Sequence, residues 1–169
     1  MDLTGKVALI TGGGTGLGRE IALLYARAGV NLGIVYSRSA NEATATAEEL
    51  RALGRRVALV QADVSSGQQV RSMVDRVASE LGRIDILVNN AGTTVFVPFK
   101  DVDRVTEEDW DRLMAVNVKG PFLCAQAVAP LMKRQGAGKI INIASTSALR
   151  PTGSSIPYSV SKAAVNHLT

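Results

Sequence analysis

Short apolar runs alternate with segments of helical periodicity along most of the chain. Five apolar runs predict buried strands, at 6–11, 30–36, 56–63, 84–92 and 139–145. The segments between and after them have the 3.6-residue periodicity of helices, at 16–29, 40–53, 66–82, 106–134 and from Pro157 onward. This alternation continues without a linker or an internal repeat, so we expect a single domain over residues 1–169.

Two of the predicted helices have more detailed signals. In the first, Ile21, Leu24, Tyr25 and Ala28 recur at helical spacing, and we expect them to form its buried face. The long pattern over 106–134 opens with Thr106-x-x-Asp109, which is typical of an amino-terminal cap.

Strands that are apolar throughout, and that are joined by helices, are typical of a parallel sheet covered on both faces. Right-handed crossovers then favour a three-layer, doubly wound α/β fold with strand order 3-2-1-4-5. In such sheets, ligands bind beyond the carboxyl ends of the strands. Candidate chemistry is therefore expected in the segments that follow each strand.

Composition narrows the choice of function. Hydrophobic residues make up 46% and charged residues 20%, as in globular proteins. The net charge of +4 is spread along the chain and aromatic residues are only 4%, so we expect no nucleic-acid partner. No apolar run approaches the ~20 residues of a membrane helix, and no signal peptide is evident. We expect a cytoplasmic protein without a membrane partner.

Neither the single cysteine nor the single histidine indicates a reactive or metal site. Cys124 lies among apolar neighbours in a helical pattern and is interpreted as a packed thiol. His167 matches no metal-ligand spacing, so no metal is predicted.

The segment TGGGTGLG, residues 11–18, joins the first strand to the first helix. Its glycines, Gly12, Gly16 and Gly18, allow a tight turn and close approach of a ligand. The following helix offers free N–H groups and a positive dipole end to a phosphate. A purely structural turn is the alternative, but the position between strand and helix favours dinucleotide binding.

The end of the second strand indicates which dinucleotide binds. An NAD site usually has an acidic residue there, to bind the ribose 2′-hydroxyl. This chain has Tyr36, Ser37 and Arg38 instead, and a guanidinium beside hydroxyls suits a 2′-phosphate. Arg38 as a solvated loop cation is the alternative. We therefore predict NADP (NADPH) as the cofactor in preference to NAD.

Over its whole length the sequence resembles the short-chain dehydrogenase/reductase family, which has a Rossmann-like fold. Six pieces occur in the family's order and separations: Thr11-Gly12-x-x-x-Gly16-x-Gly18, Asp63-Val64, Asn89-Asn90-Ala91-Gly92, Asn117, Ser145 and Tyr158-x-x-x-Lys162. The resemblance is greatest to the group of 3-oxoacyl-[acyl-carrier-protein] reductases and related NADPH carbonyl reductases.

The resemblance implies a catalytic set of Asn117, Ser145, Tyr158 and Lys162. It places Asp63 and Val64 at the adenine. The full set of predicted cofactor-binding residues is Gly12, Thr15, Gly16, Leu17, Gly18, Tyr36, Ser37, Arg38, Asp63, Val64, Asn89, Ala91, Gly92, Tyr158 and Lys162. Simpler interpretations stay open for some of them, with Asp63 and Asn89 as turn residues and Gly92 as a hinge.

The spacing of Tyr158 and Lys162 has a chemical rationale. Reduction of a carbonyl needs a hydride, which nicotinamide supplies, and a proton, which a tyrosine can supply. A tyrosine ordinarily titrates near pH 10, but a nearby cation favours tyrosinate. Residues four apart on a helix share a face, so Lys162 can lie close to Tyr158. Ser145, after the fifth strand, can hydrogen-bond the substrate oxygen, and its neighbours Thr146 and Ser147 are alternatives as local caps.

Asn117 has two interpretations. Pro121, four residues later, has no N–H, so in a continuous helix the carbonyl of Asn117 has no helical partner. The resemblance implies a water chain from this residue to Lys162. The alternative is that Gly120 and Pro121 merely kink the helix.

The resemblance also sets expectations about substrate, assembly and length. It implies a carbonyl or secondary alcohol substrate, an acyl thioester among the candidates, and a homodimer or homotetramer. The sequence ends at Thr169, whereas family members continue with two more strands, a substrate lid and an interface segment. We expect a truncated chain that lacks those C-terminal strands. Two functions stay open: an NADPH-dependent oxidoreductase, and a non-catalytic dinucleotide-binding module without the substrate-binding half.

Overall fold

The computed structural model describes residues 3–150 and 153–169. The strands are β1 (Val7–Thr11), β2 (Asn31–Tyr36), β3 (Val57–Gln61), β4 (Ile86–Asn89) and β5 (Lys139–Asn142). The helices are α1 (Gly16–Arg27), α2 (Ala40–Ala52), α3 (Gly67–Leu81), α4 (Glu107–Met114), α5 (Gly120–Gln135) and α6 (Ile156–Leu168). A π turn (Ala115–Lys119) joins α4 to α5, and short 3₁₀ helices occupy Val102–Arg104 and Thr146–Ala148.

The five strands form one parallel sheet with the order β3-β2-β1-β4-β5, which confirms the predicted topology. Alternate residues of each strand point to opposite faces. Ala8 and Ile10 pack with α1 and α2 on one face, whereas Leu9 and Leu87 pack with α3 and α5 on the other. The molecule therefore has three layers, helix on sheet on helix.

The buried face of α1 agrees with the predicted one only in part, since Ile21 and Tyr25 pack against the core but Leu24 and Ala28 do not. Leu24 is 63% exposed and Ala28 is exposed, whereas Ala22, Leu23 and Ala26 form the core contact. Small residues lie on this face because the helix approaches the glycine segment closely: a Cβ on Gly18 would lie 2.2 Å from the carbonyl oxygen of Gly12. The apolar periodicity of α1 fits two stripes, and close packing selects the one with the smaller side chains.

The long helical pattern over 106–134 forms α4, the π turn and α5 in unbroken succession. The predicted cap is confirmed, since the Thr106 hydroxyl accepts a 3.1 Å hydrogen bond from the N–H of Asp109. Pro121 lies in the first turn of α5, directly after the π turn, and donates no backbone N–H to that turn. The sequence allowed either a regular helix or a kink at this point. The structure instead has a π turn, in which the backbone hydrogen bonds span five residues rather than four.

Cys124 is fully buried between α5 and the sheet, which confirms a packed thiol. Burial raises the pKa of this thiol to about 12. A thiol with so high a pKa stays protonated at neutral pH and is unreactive.

A buried carboxylate fastens the amino ends of two central strands. Asp85, just before β4, accepts a 3.0 Å hydrogen bond from the N–H of Val7 at the start of β1. It also accepts two from Arg83, at 2.8 and 2.6 Å, and lies 3.4 Å from the ammonium of Lys6. Burial acts to raise the pKa of Asp85, but the hydrogen bonds and cations outweigh it, and the pKa lies below its ordinary value.

One outer edge of the sheet is β5, whose Ile140 and Ile141 are 38% and 40% exposed. Within the described residues, no helix combines the length and the apolar character that crossing a membrane requires.

Candidate active and cofactor-binding site

A cleft of about 910 Å³ lies at the carboxyl ends of β1 to β4, where the topology predicts a ligand. Its walls are the glycine segment after β1, the ends of β2 and β3, the segment after β4, and one face of α4 with the π turn. The predicted residues that border it are Gly12, Thr15, Gly16, Leu17, Tyr36, Ser37, Arg38, Asp63, Val64, Ala91 and Gly92.

The amino end of α1 is open toward this cleft. Thr15 precedes the helix in an extended conformation, and its side chain makes no capping hydrogen bond. Gly16 has φ +50°, and a Cβ there would meet no atom within 4 Å. The first turn contains no acidic residue, so it presents N–H groups and a positive dipole end to the cleft. By contrast, the hydroxyl side chains of Ser66, Thr106 and Ser155 cap α3, α4 and α6.

Thr11 and Asn90 connect the glycine segment to the segment after β4. The Thr11 hydroxyl accepts hydrogen bonds from the N–H groups of Asn90 and Ala91, at 3.1 and 3.0 Å. The Asn90 amide donates to the carbonyls of Thr11 and Gly12, at 3.0 and 3.1 Å. These four bonds hold two walls of the cleft together. Sequence reasoning included both residues in motifs but assigned them no role.

The end of β2 presents a cation to the cleft. Arg38 is exposed, and no hydrogen bond or ion pair of its guanidinium occurs within residues 3–150 and 153–169. Ser39, which precedes α2, makes no side-chain cap, so a second helix also begins open at the cleft. The backbone here is fixed by the Gln61 amide, which donates to the carbonyl of Ser37 at 3.0 Å.

Asp63 forms a local turn and also borders the cleft. Its carboxylate accepts hydrogen bonds from the N–H and hydroxyl of Ser65, at 2.9 and 2.7 Å. Val64 next to it is buried against Gly120, whose Cβ position would lie 2.9 Å from a Val64 methyl. The turn interpretation of Asp63 is thus correct, and it is compatible with a role in the cleft.

Two predicted cofactor residues, Asn89 and Gly18, lie behind the cleft wall. The Asn89 amide donates to Asn142 Oδ1 at 2.8 Å and to the carbonyl of Pro121 at 3.3 Å, joining β4 to β5 and α5. Gly18 is buried beneath Gly12. Neither belongs to the cleft lining: Asn89 supports the wall through hydrogen bonds and Gly18 through close packing.

Lys162 and Tyr158 lie on the same side of α6, as the spacing predicts. The Lys162 ammonium is 5.9 Å from the centroid of the Tyr158 ring and donates a 2.8 Å hydrogen bond to the carbonyl of Ile143. Lys162 is only 6% exposed, and burial lowers its pKa. Tyr158 is half-buried, and its N–H donates to the hydroxyl of Ser155.

Ser145 follows β5 and is half-buried. Its hydroxyl accepts a 3.1 Å hydrogen bond from the N–H of Ser147, so it caps the 3₁₀ helix Thr146–Ala148. The capping role considered for its neighbours therefore belongs to Ser145 itself. Its hydroxyl hydrogen is not used in that bond, because the hydroxyl oxygen is the acceptor.

Asn117 is buried in the π turn, and its side chain is fully engaged. Its Oδ1 accepts from the N–H of Thr93 at 2.8 Å, and its Nδ2 donates to the Thr93 carbonyl at 2.9 Å. The same amide donates to the hydroxyl of Ser161 at 3.0 Å. Asn117 therefore ties the segment after β4 to α6, a side-chain role that sequence reasoning missed.

Sequence reasoning also missed Arg112, which borders the cleft together with Ala115 and Val116. These three residues have i, i+3, i+4 spacing and so share one helical face. No motif in the sequence distinguishes this face from the other faces of the helix. Among the residues described, no group of three or more His, Cys, Asp or Glu side chains is arranged to hold a metal ion.

Fold and site together define a doubly wound α/β domain with a cleft at the carboxyl ends of its parallel strands. A sequence profile of the short chain dehydrogenase family matches residues 6–169. The chain belongs to this family.

Several characterised and uncharacterised relatives are similar over the whole chain. An uncharacterized oxidoreductase of Thermotoga maritima is 40% identical over 169 residues, and the 3-oxoacyl-[acyl-carrier-protein] reductase FabG of Staphylococcus epidermidis is 40% identical over 166. These matches cover 100% and 97% of this chain but 65% and 66% of the relatives. The crystal structure of an NAD+-bound xylitol dehydrogenase is 31% identical with a TM-score of 0.93, covering 100% of this chain and 64% of that one. The chain thus spans about two thirds of their length.

Proposed function

We propose that the chain carries the cofactor-binding and catalytic residues of an NADPH-dependent oxidoreductase that interconverts a carbonyl and a secondary alcohol. In this proposal residues 1–169 belong to one domain, and Tyr158 is the general acid and base. The observation that carries the proposal is the buried ammonium of Lys162, 5.9 Å from the centroid of the Tyr158 ring. A cation beside the ring interacts favourably with it and so helps to hold the phenol on that side of α6.

The residues of the cleft fit a dinucleotide. The uncapped amino end of α1 suits a pyrophosphate, because it has free N–H donors and no carboxylate in its first turn. Gly16 leaves open space above the backbone, so a phosphate can approach closely. When bound, the cofactor supplies a hydride to the carbonyl carbon, or accepts one from the alcohol.

The side chains of this chain supply the remaining steps. Tyr158 gives a proton to the substrate oxygen during reduction and takes it back during oxidation. Ser145 has a hydroxyl hydrogen available to hold that oxygen in place. Lys162 keeps an ammonium beside the Tyr158 ring, and its hydrogen bond to the carbonyl of Ile143 fixes that ammonium.

The preference for NADPH rests on Arg38. Its guanidinium has no partner within residues 3–150 and 153–169, and it borders the cleft beside Ser37 and the uncapped start of α2. A dianionic 2′-phosphate would gain a charge-assisted hydrogen bond to that guanidinium. The similarity to the FabG reductase supports a substrate of the 3-oxoacyl thioester type.

Self-association is part of the proposal. A shallow groove lies along the π turn and α5, with Val118, Phe122 and Leu168 among its lining residues. Phe122 is 48% exposed and Leu168 37%, which is unfavourable unless another surface covers them. A Phe122→Asp substitution should shift the protein toward monomer in sedimentation velocity at micromolar concentration. A wild-type protein that is already monomeric there would refute this part.

The decisive experiment is turnover by the whole protein with NADPH and a panel of acyl thioesters, ketones and sugars. Tyr158→Phe should lower kcat by at least roughly a hundredfold, while NADPH affinity stays within a few-fold. Tyr25→Phe is the matched control, since this half-buried tyrosine of α1 lies outside the cleft. Undiminished turnover by Tyr158→Phe would refute the proposed mechanism.

A dinucleotide-binding module without turnover is the second candidate. Two observations favour it. None of Ser145, Tyr158 and Lys162 lines the cleft. The chain also spans only about two thirds of the length of its relatives. Tight NADPH binding without turnover of any substrate would favour this candidate. An intact mass well above 17.8 kDa would favour the enzyme.

A further inference from the structure

We propose that Ser161 is a positioning residue for the Tyr158–Lys162 pair. It acts as the last link of a buried hydrogen-bonded chain that runs from the cleft wall after β4 to the helix α6. The inference rests on the proposed oxidoreductase function, and it assigns a role to a buried side chain that does not border the cleft.

The Ser161 hydroxyl is buried and uses both of its hydrogen-bonding functions. The residue is 0% exposed. Its oxygen accepts a 3.0 Å hydrogen bond from Nδ2 of Asn117, and its O–H donates a 2.7 Å hydrogen bond to the carbonyl oxygen of Tyr158. A buried hydroxyl with both functions satisfied is held in one orientation.

The chain continues through Asn117 to the cleft. The Asn117 amide exchanges two hydrogen bonds with the backbone of Thr93, which borders the cleft. Both N–H donors of the amide are therefore used, one on Thr93 and one on Ser161. The cleft wall and α6 are therefore connected through the side chains of Asn117 and Ser161. All N–H and O–H donors of these two side chains are used within this chain of hydrogen bonds.

The attachment point on α6 explains why this link affects the chemistry. Ser161 precedes Lys162 directly and bonds the carbonyl of Tyr158, so it lies between the two functional groups along the helix. The helix is also hydrogen-bonded to neighbouring elements at two other points, by Lys162 to the carbonyl of Ile143 and, at its end, by the Asn142 amide to the hydroxyl of Thr169. Without the Ser161 hydroxyl, the side-chain hydrogen bond between α6 and the π turn is lost, and we expect Tyr158 to be held less firmly relative to the cleft wall.

The same helix contains a matched control. Ser159 is also buried, at 8% exposure, but its hydroxyl has no hydrogen-bond partner among the described residues. Its removal deletes the same atom from the same helix two positions away and breaks no hydrogen bond. A comparison of Ser161→Ala with Ser159→Ala therefore separates the link from general effects of serine in α6.

The test is steady-state kinetics of the whole protein over a pH series, with Ser161→Ala, Ser161→Cys and Ser159→Ala. Ser161→Ala should lower kcat roughly tenfold and move the midpoint of the pH–rate profile, while KM for NADPH changes less than about twofold. Ser159→Ala should stay within about twofold of wild type in every parameter. Ser161→Cys, which keeps the size and a weak donor, should recover part of the rate.

Two kinetic outcomes would overturn the inference. One is a Ser161→Ala enzyme with the wild-type rate and profile. The other is a rate loss that follows the unfolded fraction with an unchanged pH profile, because this would mean a role in stability alone.

A protein without turnover would refute the proposed function but still allow the link to be judged. Amide hydrogen exchange over residues 156–163 should then be at least roughly tenfold faster in Ser161→Ala than in Ser159→Ala. Equal exchange in the two variants would overturn the link.

Discussion

The ammonium of Lys162 donates a 2.8 Å hydrogen bond to the carbonyl oxygen of Ile143, so a buried cation on α6 holds the residue that follows β5. Ile143 in turn donates its N–H to the carbonyl of Asn89 at the end of β4, at 2.9 Å. The cation is thus attached to the sheet rather than to a mobile loop, which keeps it close to Tyr158.

The burial of Lys162 predicts a specific pH dependence of stability. Burial lowers the folded-state pKa, so between that pKa and the ordinary value of 10.5 the unfolded chain binds more protons. The free energy of unfolding of wild type should therefore rise relative to that of Lys162→Met as the pH increases from neutral toward 10.5. Urea denaturation over this range measures the difference. Lys133→Met, an exposed lysine of α5, should run parallel to wild type, and parallel curves for Lys162→Met would contradict the prediction.

Gly18 should be far less tolerant of a side chain than Gly67. An added Cβ at Gly18 would lie 2.2 Å from the Gly12 carbonyl and 2.5 Å from the Asn90 amide, whereas one at Gly67 would have no neighbour nearer than 3.4 Å. Gly18→Ala should cost about 2–3 kcal/mol in urea denaturation and should weaken NADPH binding measured by fluorescence. Gly67→Ala should be nearly neutral. Equal stability of the two variants would contradict the prediction, because it would mean that the backbone of the glycine segment can shift to accommodate a methyl group at little cost.

Arg38 should determine the choice of cofactor. Arg38→Ala removes the guanidinium at the end of β2, so we expect the NADPH-to-NADH ratio of kcat/KM to fall at least roughly tenfold. Arg134→Ala, which removes an exposed charge at the end of α5, is the matched control and should leave the ratio unchanged. An unaltered ratio in Arg38→Ala would instead support the solvated loop cation.

Cys124 should make the fold sensitive to alkaline pH. Its pKa is raised by burial from 9.0 to about 12, so above pH 9 the unfolded thiol ionises while the folded one stays protonated. The contribution of Cys124 to the free energy of unfolding therefore falls by about 1.4 kcal/mol per pH unit between pH 9 and the folded-state pKa. The free energy of unfolding should therefore decline more steeply with pH in wild type than in Cys124→Ala. Rapid alkylation of the native thiol at pH 8 would contradict the burial.

Much of the fold follows from local pattern. Strand order could be predicted because continuous apolar strands joined by helices allow few topologies. The buried face of α1 could not be predicted in full, because Leu23 and Leu24 each belong to a stripe of apolar residues at helical spacing. Only the close approach of Gly18 to Gly12 decides which of the two stripes faces the core. The π turn likewise depends on tertiary contacts of Asn117, which no local propensity encodes.

Motif spacing predicts most of the residues that border the cleft. It does not predict the residues that act only by positioning other side chains. Gly12, Gly16, Arg38 and Asp63 border the cleft as expected, whereas Gly18 and Asn89 lie behind its wall. Spacing identifies a residue type at a position, but the direction of its side chain depends on neighbours distant in sequence. Ser161 lay inside a quoted motif, and its role became visible only from its contact with Asn117, 44 positions earlier.

Asp85 ties the beginnings of β1 and β4 together, with cations on both sides of its carboxylate. All of these bonds lie at the end of the sheet that faces away from the cleft. The residues that fix the register of β1 and β4 are therefore different from the residues that border the cleft. Substitutions around the binding loops can accumulate while the scaffold keeps its alignment, which gives such a domain room to acquire new substrates over evolution.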